Sequence, residues 1–204
     1  LEDTSSNNVA VTRSQGTINY NHIYAKQKNK CVKIEDAKIN INIQDLTSAS
    51  DFRRATIAFW IKIDDVSLNQ TILEHLKDNK GIMLGLHGEQ LVATMRTTNG
   101  KVLGTIPSDF ILNKQTFYHI ALVLDMERDE FEDDNPDPFL KMYINGTPVG
   151  LLFTNEHFQS GGMFLSKDAM TSIGGNSLLS SADPFKGYID DYYMYDKALS
   201  LTEI

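Results

Sequence analysis

The feature that most constrains this chain is a two-residue alternation of apolar side chains that returns from segment to segment. In Thr56-Ile57-Ala58-Phe59-Trp60-Ile61-Lys62-Ile63, the residues Ile57, Phe59, Ile61 and Ile63 share one face, and Thr56, Ala58, Trp60 and Lys62 share the other. A strand turns successive side chains to opposite faces, whereas an amphipathic helix needs apolar spacings of three and four. The run Phe117-Tyr118-His119-Ile120-Ala121-Leu122-Val123-Leu124 is apolar on both faces, which suits a central strand covered on both sides. Further strands are expected over 70–74, 82–86, 90–95, 101–106, 140–144, 149–153 and 187–195.

Between these runs stands turn chemistry. His87-Gly88-Glu89, Thr98-Asn99-Gly100-Lys101 and Ile144-Asn145-Gly146-Thr147 read as tight hairpins, because Asn and Gly accept the positive φ of such turns. Turn signals recur about every 8–12 residues, as in a sandwich or barrel. One short helix is expected at the end, where Ser200-Leu201-Thr202-Glu203 fits a capping box. Residues 1–15 are polar and read as a loose lead-in or an edge strand.

The 204 residues show no internal repeat and no linker, so one domain over 1–204 is expected. The chain begins at Leu1 and stops one turn into its final helix signal, which suggests a piece of a larger protein. A net charge of −8 disfavours nucleic acid and anionic lipid as partners. No apolar run approaches the ~18–20 residues that span a bilayer as a helix, so direct membrane insertion is not expected. The single cysteine, Cys31, permits no internal disulfide; its alternating surroundings make it a thiol filling a strand position.

Four blocks, in order, carry a family resemblance. Ala55-Thr56-Ile57-Ala58-Phe59-Trp60-Ile61-Lys62 resembles the "F-T-I-S-x-W-V-K" strand of laminin-G-like domains. Phe117-Tyr118-His119-Ile120-Ala121-Leu122-Val123-Leu124-Asp125 resembles their "W-x-H-v-A-l-v-y-D" strand, with Phe117 in place of Trp. Leu140-Lys141-Met142-Tyr143-Ile144-Asn145-Gly146 is similar to "l-k-l-Y-v-N-G". Finally, Phe185-Lys186-Gly187-Tyr188-Ile189-Asp190-Asp191, with Tyr192-Tyr193 where Val-Arg is usual, leads to Ala198-Leu199-Ser200 and Glu203-Ile204 and resembles the family's closing motif. The resemblance covers roughly 50–204. It implies an all-β jelly-roll sandwich of two antiparallel sheets, concanavalin A-like and laminin G-like, concave on one side. It also implies an extracellular or cell-surface module that binds a glycan or a protein, often with calcium. The same superfamily holds pentraxins, legume lectins, the jelly-roll half of clostridial neurotoxin binding domains and β-glucanases, so fold alone does not assign function.

The candidate sites each have a plainer reading beside them. The segment 125–138 carries eight carboxylates and one Arg between two apolar strands. Calcium would relieve their repulsion, and Asp125, Asp134 and Asp137 are candidate ligands, with Asp190 from the closing motif as a fourth. The plainer readings are a solvated acidic insertion, which could also dock a basic partner, and an Asp190 that ties down a loop through backbone hydrogen bonds. Glu127, Asp129 and Glu132 formally match a glucanase triplet, but Arg128 and Glu130 occupy positions that a catalytic strand fills with apolar residues, so no enzyme is expected. Trp60 could stack on a sugar, although core packing is the simpler expectation for a central strand. Tyr188, Tyr192, Tyr193 and Tyr195 form an aromatic cluster, some of which must face outward. His119 is expected to hold an internal hydrogen bond. Asn69 and Asn145 begin glycosylation sequons. Three functions are therefore carried forward: a non-catalytic recognition or adhesion module, a structural spacer among other domains of the same parent chain, and a glucanase-type hydrolase as the least favoured.

Overall fold

A computed structural model describes residues 10–21, 31–42, 51–96, 102–125, 139–152, 165–166, 168–175 and 183–204. In chain order the strands are β1 (Ala10–Asn21), β2 (Cys31–Asn42), β3 (Asp51–Phe52), β4 (Arg54–Ile63), β5 (Gln70–Lys77), β6 (Lys80–His87), β7 (Gln90–Arg96) and β8 (Val102–Ile111). Then follow β9 (Phe117–Asp125), β10 (Leu140–Ile144), β11 (Thr147–Leu152), β12 (Leu165–Ser166), β13 (Met170–Ile173), β14 (Asp183–Pro184) and β15 (Gly187–Tyr195).

Two leaves meet at β2. Its first residues pair with β15, and beyond β15 the order runs β4, β9, β10, β11. Its last residues pair with β13, and beyond β13 the order runs β5, β6, β7, β8. The long β1 pairs with β2 from end to end and closes that side, so residues 10–15 belong to an edge strand. The ladders are antiparallel apart from a short parallel contact of β14 with β5, and a two-strand ribbon of β3 and β12 stands separately. The outermost strands, β8 and β11, carry Pro107 and Pro148. Proline lacks the N–H that a further strand would use, and so blunts a sheet edge.

The inward faces of both leaves form one core. From the first leaf come Ile57, Phe59, Ile61 and Ile63 of β4, Ile120, Leu122 and Leu124 of β9, and Met142 of β10; from the second come Leu73, Ile82, Leu84, Leu86, Leu91 and Ala93. These are the faces that the alternation assigns inward. A smaller cluster of Ala58, Ala121, Val123 and Tyr143 lies on the outer face of the first leaf, with Ala198 and Ile204 packed against it. That cover explains why β9 is apolar on both sides.

The turns follow residue chemistry. Asn145 and Gly146, both at positive φ (51° and 74°), make the β10–β11 hairpin. Asp78 and Asn79 (50° and 65°) make a second hairpin of this kind between β5 and β6, one the reading by dipeptide passes over. Gly187 is held to glycine by proximity: a Cβ there would collide with the Lys62 carbonyl and the Phe185 ring. The segment 98–101 lies outside the described residues. The expected terminal helix is instead a turn: Glu203 N–H donates to the Ser200 carbonyl at 3.0 Å, while the Glu203 carboxylate accepts from Ser200 N–H at 2.8 Å. The back-bond of a capping box is present in a turn whose last residue, Ile204, packs on the sheet.

Candidate functional site

Sheet register places chemically distinct side chains in rows across the outer face of the first leaf. One row runs Tyr188, Lys62, Phe117 and the next runs Asp190, Trp60, His119. Beyond Asp190 the register of β15 slips by one residue against β4, so that Tyr193 faces Ala58 and Tyr195 faces Thr56. The extra residue is Asp191, at φ 45°, a left-handed conformation that Asp tolerates. The slip reverses the facing of everything after it. Tyr192 and Met194 turn inward against the core, with Tyr192 tilted against Phe59 at 6.2 Å between ring centroids. Tyr193 and Tyr195 turn outward.

The outward rings form a shelf. Tyr193 stacks on Tyr195 at 6.1 Å with an interplanar angle of 27°, and Trp60 meets His119 at 5.3 Å. Tyr193 is 51% exposed, and Trp60 is half-buried. The rings border a pocket of about 140 Å³, whose floor is Ala58 and whose far wall is the C-terminal turn, through Leu199, Glu203 and Ile204. Thr56 fixes that wall. Its hydroxyl donates to the Lys197 carbonyl at 2.8 Å and accepts from Leu199 N–H at 2.9 Å. Lys197 and Glu203 pair at 2.8 Å within the turn, and the Glu203 carboxyl is held low, to about 2, chiefly by that ammonium. Asp191 contributes a second carboxylate to the lining.

Next to the shelf, Lys62 is buried with its Nζ 4.0 Å from the centre of the Tyr188 ring and 5.7 Å from that of Phe117. An ammonium over aromatic faces, out of water, gains about 2 kcal/mol, which helps offset its loss of hydration. Cys31 is fully buried, and burial pushes its thiol up, with the Asp190 charge adding to the effect. A thiol held protonated is a packing residue, as its alternating surroundings imply.

The other residues singled out by sequence fall as follows. Trp60 is not core: the alternation that sends Ile57, Phe59 and Ile61 inward sends it out. His119 also lies on this outer face; its ring stands against Trp60, its backbone N–H donates to Asn145 Oδ1 (2.9 Å) and its carbonyl accepts from Asn145 N–H (2.8 Å). Burial lowers the His119 imidazole from its ordinary value. Asp190 is 7% exposed, and its Oδ1 accepts from Asp191 N–H at 3.0 Å, bracing the slipped register. Asp125 binds the Arg54 guanidinium at 3.0 Å. Asp125 faces Arg54 and Asp190 faces Trp60, six residues apart on one strand, so the two carboxylates are separated by about 20 Å at ~3.3 Å per residue and share no ion. Asp134, Asp137, Glu127, Asp129 and Glu132 lie outside the described residues. Among the described residues, no group of three His, Cys, Asp or Glu converges. Asn69 and Asn145 are both exposed.

Comparison with known proteins places this geometry in context. The model of a family described as the concanavalin A-like lectin/glucanases superfamily matches residues 35–204. No curated protein is similar in sequence. Among solved structures, the binding domain of Botulinum Neurotoxin DC in complex with SialylT superposes with a TM-score of 0.72 at 21% identity, covering 99% of this chain and 46% of that one. The same domain in complex with rat synaptotagmin II gives 0.72 at 20%. The receptor binding domain of botulinum neurotoxin D gives 0.72 at 17%, covering 99% and 48%. The chain thus spans about half the length of these structures, and at such identity the likeness is one of fold.

Proposed function

Since the chain belongs to the concanavalin A-like lectin/glucanases superfamily, we propose that it is a non-catalytic recognition module, working outside the cytoplasm, whose aromatic shelf engages a glycan. The observation that carries this reading is the one-residue slip at Asp191, which brings Tyr193 and Tyr195 out beside Trp60 on a sheet face otherwise suited to burial. Flat rings offer the apolar faces of a pyranose a large contact at little entropic cost, while neighbouring polar groups orient its hydroxyls. Bulges are frequent where a fold must re-aim side chains toward a ligand. Structural neighbours that are receptor-binding domains, in complexes with SialylT and with synaptotagmin, support a glycan or protein partner and a non-catalytic role.

The test is glycan binding by the intact chain and by Trp60→Ala and Tyr193→Ala. A fall of at least about tenfold in affinity, roughly 1.4 kcal/mol, is expected for each. Tyr193 is exposed, so its removal should barely move melting, whereas Trp60 is half-buried against His119 and its variant should melt lower while remaining folded. Unchanged binding in both variants would place recognition elsewhere on the domain. Any calcium dependence we assign to the acidic segment 125–138 rather than to Asp190. Bound metal stabilises the native state by mass action, so added calcium should raise Tm and chelator should reverse the rise; no shift discards the site.

A further inference from the structure

We infer that the pocket beside the shelf seats a single sugar ring at the end of a glycan chain, and that Ala58 sets the room available to that ring. This rests on the glycan reading of the same shelf and adds the unit that it recognises.

Along β4 the outer face presents Thr56, Ala58 and Trp60 in turn. Thr56 and Trp60 are separated by about 13 Å at ~3.3 Å per residue. Trp60 and His119 stand at one end of this span. At the other end the Thr56 hydroxyl holds the C-terminal turn through the Lys197 carbonyl and Leu199 N–H, and Leu199, Glu203 and Ile204 close the pocket. Between them β4 carries only the methyl group of Ala58. Across the strands the floor is just as short. Register sets Tyr193, Ala58, Ala121 and Tyr143 in one row. Ala121 and Tyr143 are buried in the cluster on which Ala198 and Ile204 pack. Among the described residues of that row, Ala58 and Tyr193 alone line the pocket, and the exposed Tyr193 marks its side toward solvent. The volume agrees. At about 140 Å³ the pocket is close to the ~150 Å³ of a cavity that accepts one benzene ring, and well below the ~300 Å³ at which pockets for drug-sized ligands begin. One six-membered ring fits, emerging in part past Tyr193. Two linked rings laid along β4 would run into the turn. A ring at a chain end enters with the rest of the glycan leading away over Tyr193, whereas an internal ring needs two exits. Position 58 faces outward, so a larger side chain there would fill the pocket and leave the core unchanged.

The experiment titrates the intact chain with the methyl glycosides of glucose, galactose, mannose and N-acetylglucosamine, and with linear tetramers of the same sugars. For a sugar that binds, monomer and tetramer should agree within about threefold, because further rings add no contact. Ala58→Leu should weaken both by about tenfold or more. Ala58→Val, a smaller intrusion that a strand accepts readily, should weaken them by less, and melting confirms that each variant is folded. A tetramer at least about tenfold tighter than its monomer, with binding lost in Trp60→Ala, would overturn the single-ring limit and leave the shelf as a binding groove. Undiminished binding by the folded Ala58 variants, with Trp60→Ala inactive, would remove Ala58 as the floor and overturn the inference in the same way. Failure of every probe to bind, or binding indifferent to Trp60→Ala and Tyr193→Ala, would overturn the shelf itself.

Discussion

The molecule holds histidines in two contrasting regions. His75, on β5, is fully buried between the leaves. Its Nε2 bonds to the Ser166 carbonyl at 3.1 Å, which must accept, so Nε2 carries the proton; Nδ1 then accepts from the Thr171 hydroxyl at 2.8 Å. The ring joins β5, β13 and the β3–β12 ribbon. His119, on β9, looks the other way and stands against Trp60. Both belong to alternating strands, and the phase of the alternation decides between them. An inward polar side chain must find protein partners and becomes part of the architecture. An outward one on a partly covered face keeps its capacity for a ligand.

The contrast can be broken first at the interior. Phe59 is among the largest fully buried side chains, and Phe59→Ala should cost about 3–5 kcal/mol in denaturant unfolding. A loss near 1 kcal/mol would mean that the leaves are loosely packed. The second test is pH. Burial lowers His75 to about 4 from 6.5. The native state then binds fewer protons than the unfolded chain between those values, so this contribution is complete above about 6.5 and is lost as pH falls toward 4. It amounts to about 3 kcal/mol over that window. Comparing the pH slope of unfolding free energy in the parent and in His75→Gln isolates it; identical slopes would remove His75 from the account. The smallest effect is expected on the outer side. Thr56→Val removes both hydroxyl bonds to the C-terminal turn, at about 1–2 kcal/mol. Its sharper readout is loss of glycan binding from a pocket that has lost its wall.

The fold was legible because its signals are local. Alternation in 56–63 and 117–124, Asn-Gly at the β10–β11 turn and the closing glycine motif each act within a few residues. The site was less so. The pattern already put Trp60 opposite Phe59, but its central strand invited a core assignment, and only the tertiary position of the C-terminal turn shows which outward residues are covered. The slip at Asp191 leaves no mark in Tyr188–Tyr195, where aromatic residues occupy both phases and either facing would look plausible. The bond that Ser200 N–H donates to the Glu203 carboxylate was readable, whereas the packing of Ile204 on the sheet is a tertiary contact with no local signal. The short pairings β3–β12 and β5–β14 span two residues each, too few for any period to show.

Asp191 acts as a reading-frame shift in three dimensions. Closing the slip without shortening the strand would set Asp191 opposite Phe59, send Tyr192 and Met194 to solvent and drive Tyr193 and Tyr195 into the interior, whereas deleting Asp191 itself would keep the present facing. The outward surface therefore depends on one backbone irregularity as much as on the identity of the rings that form it.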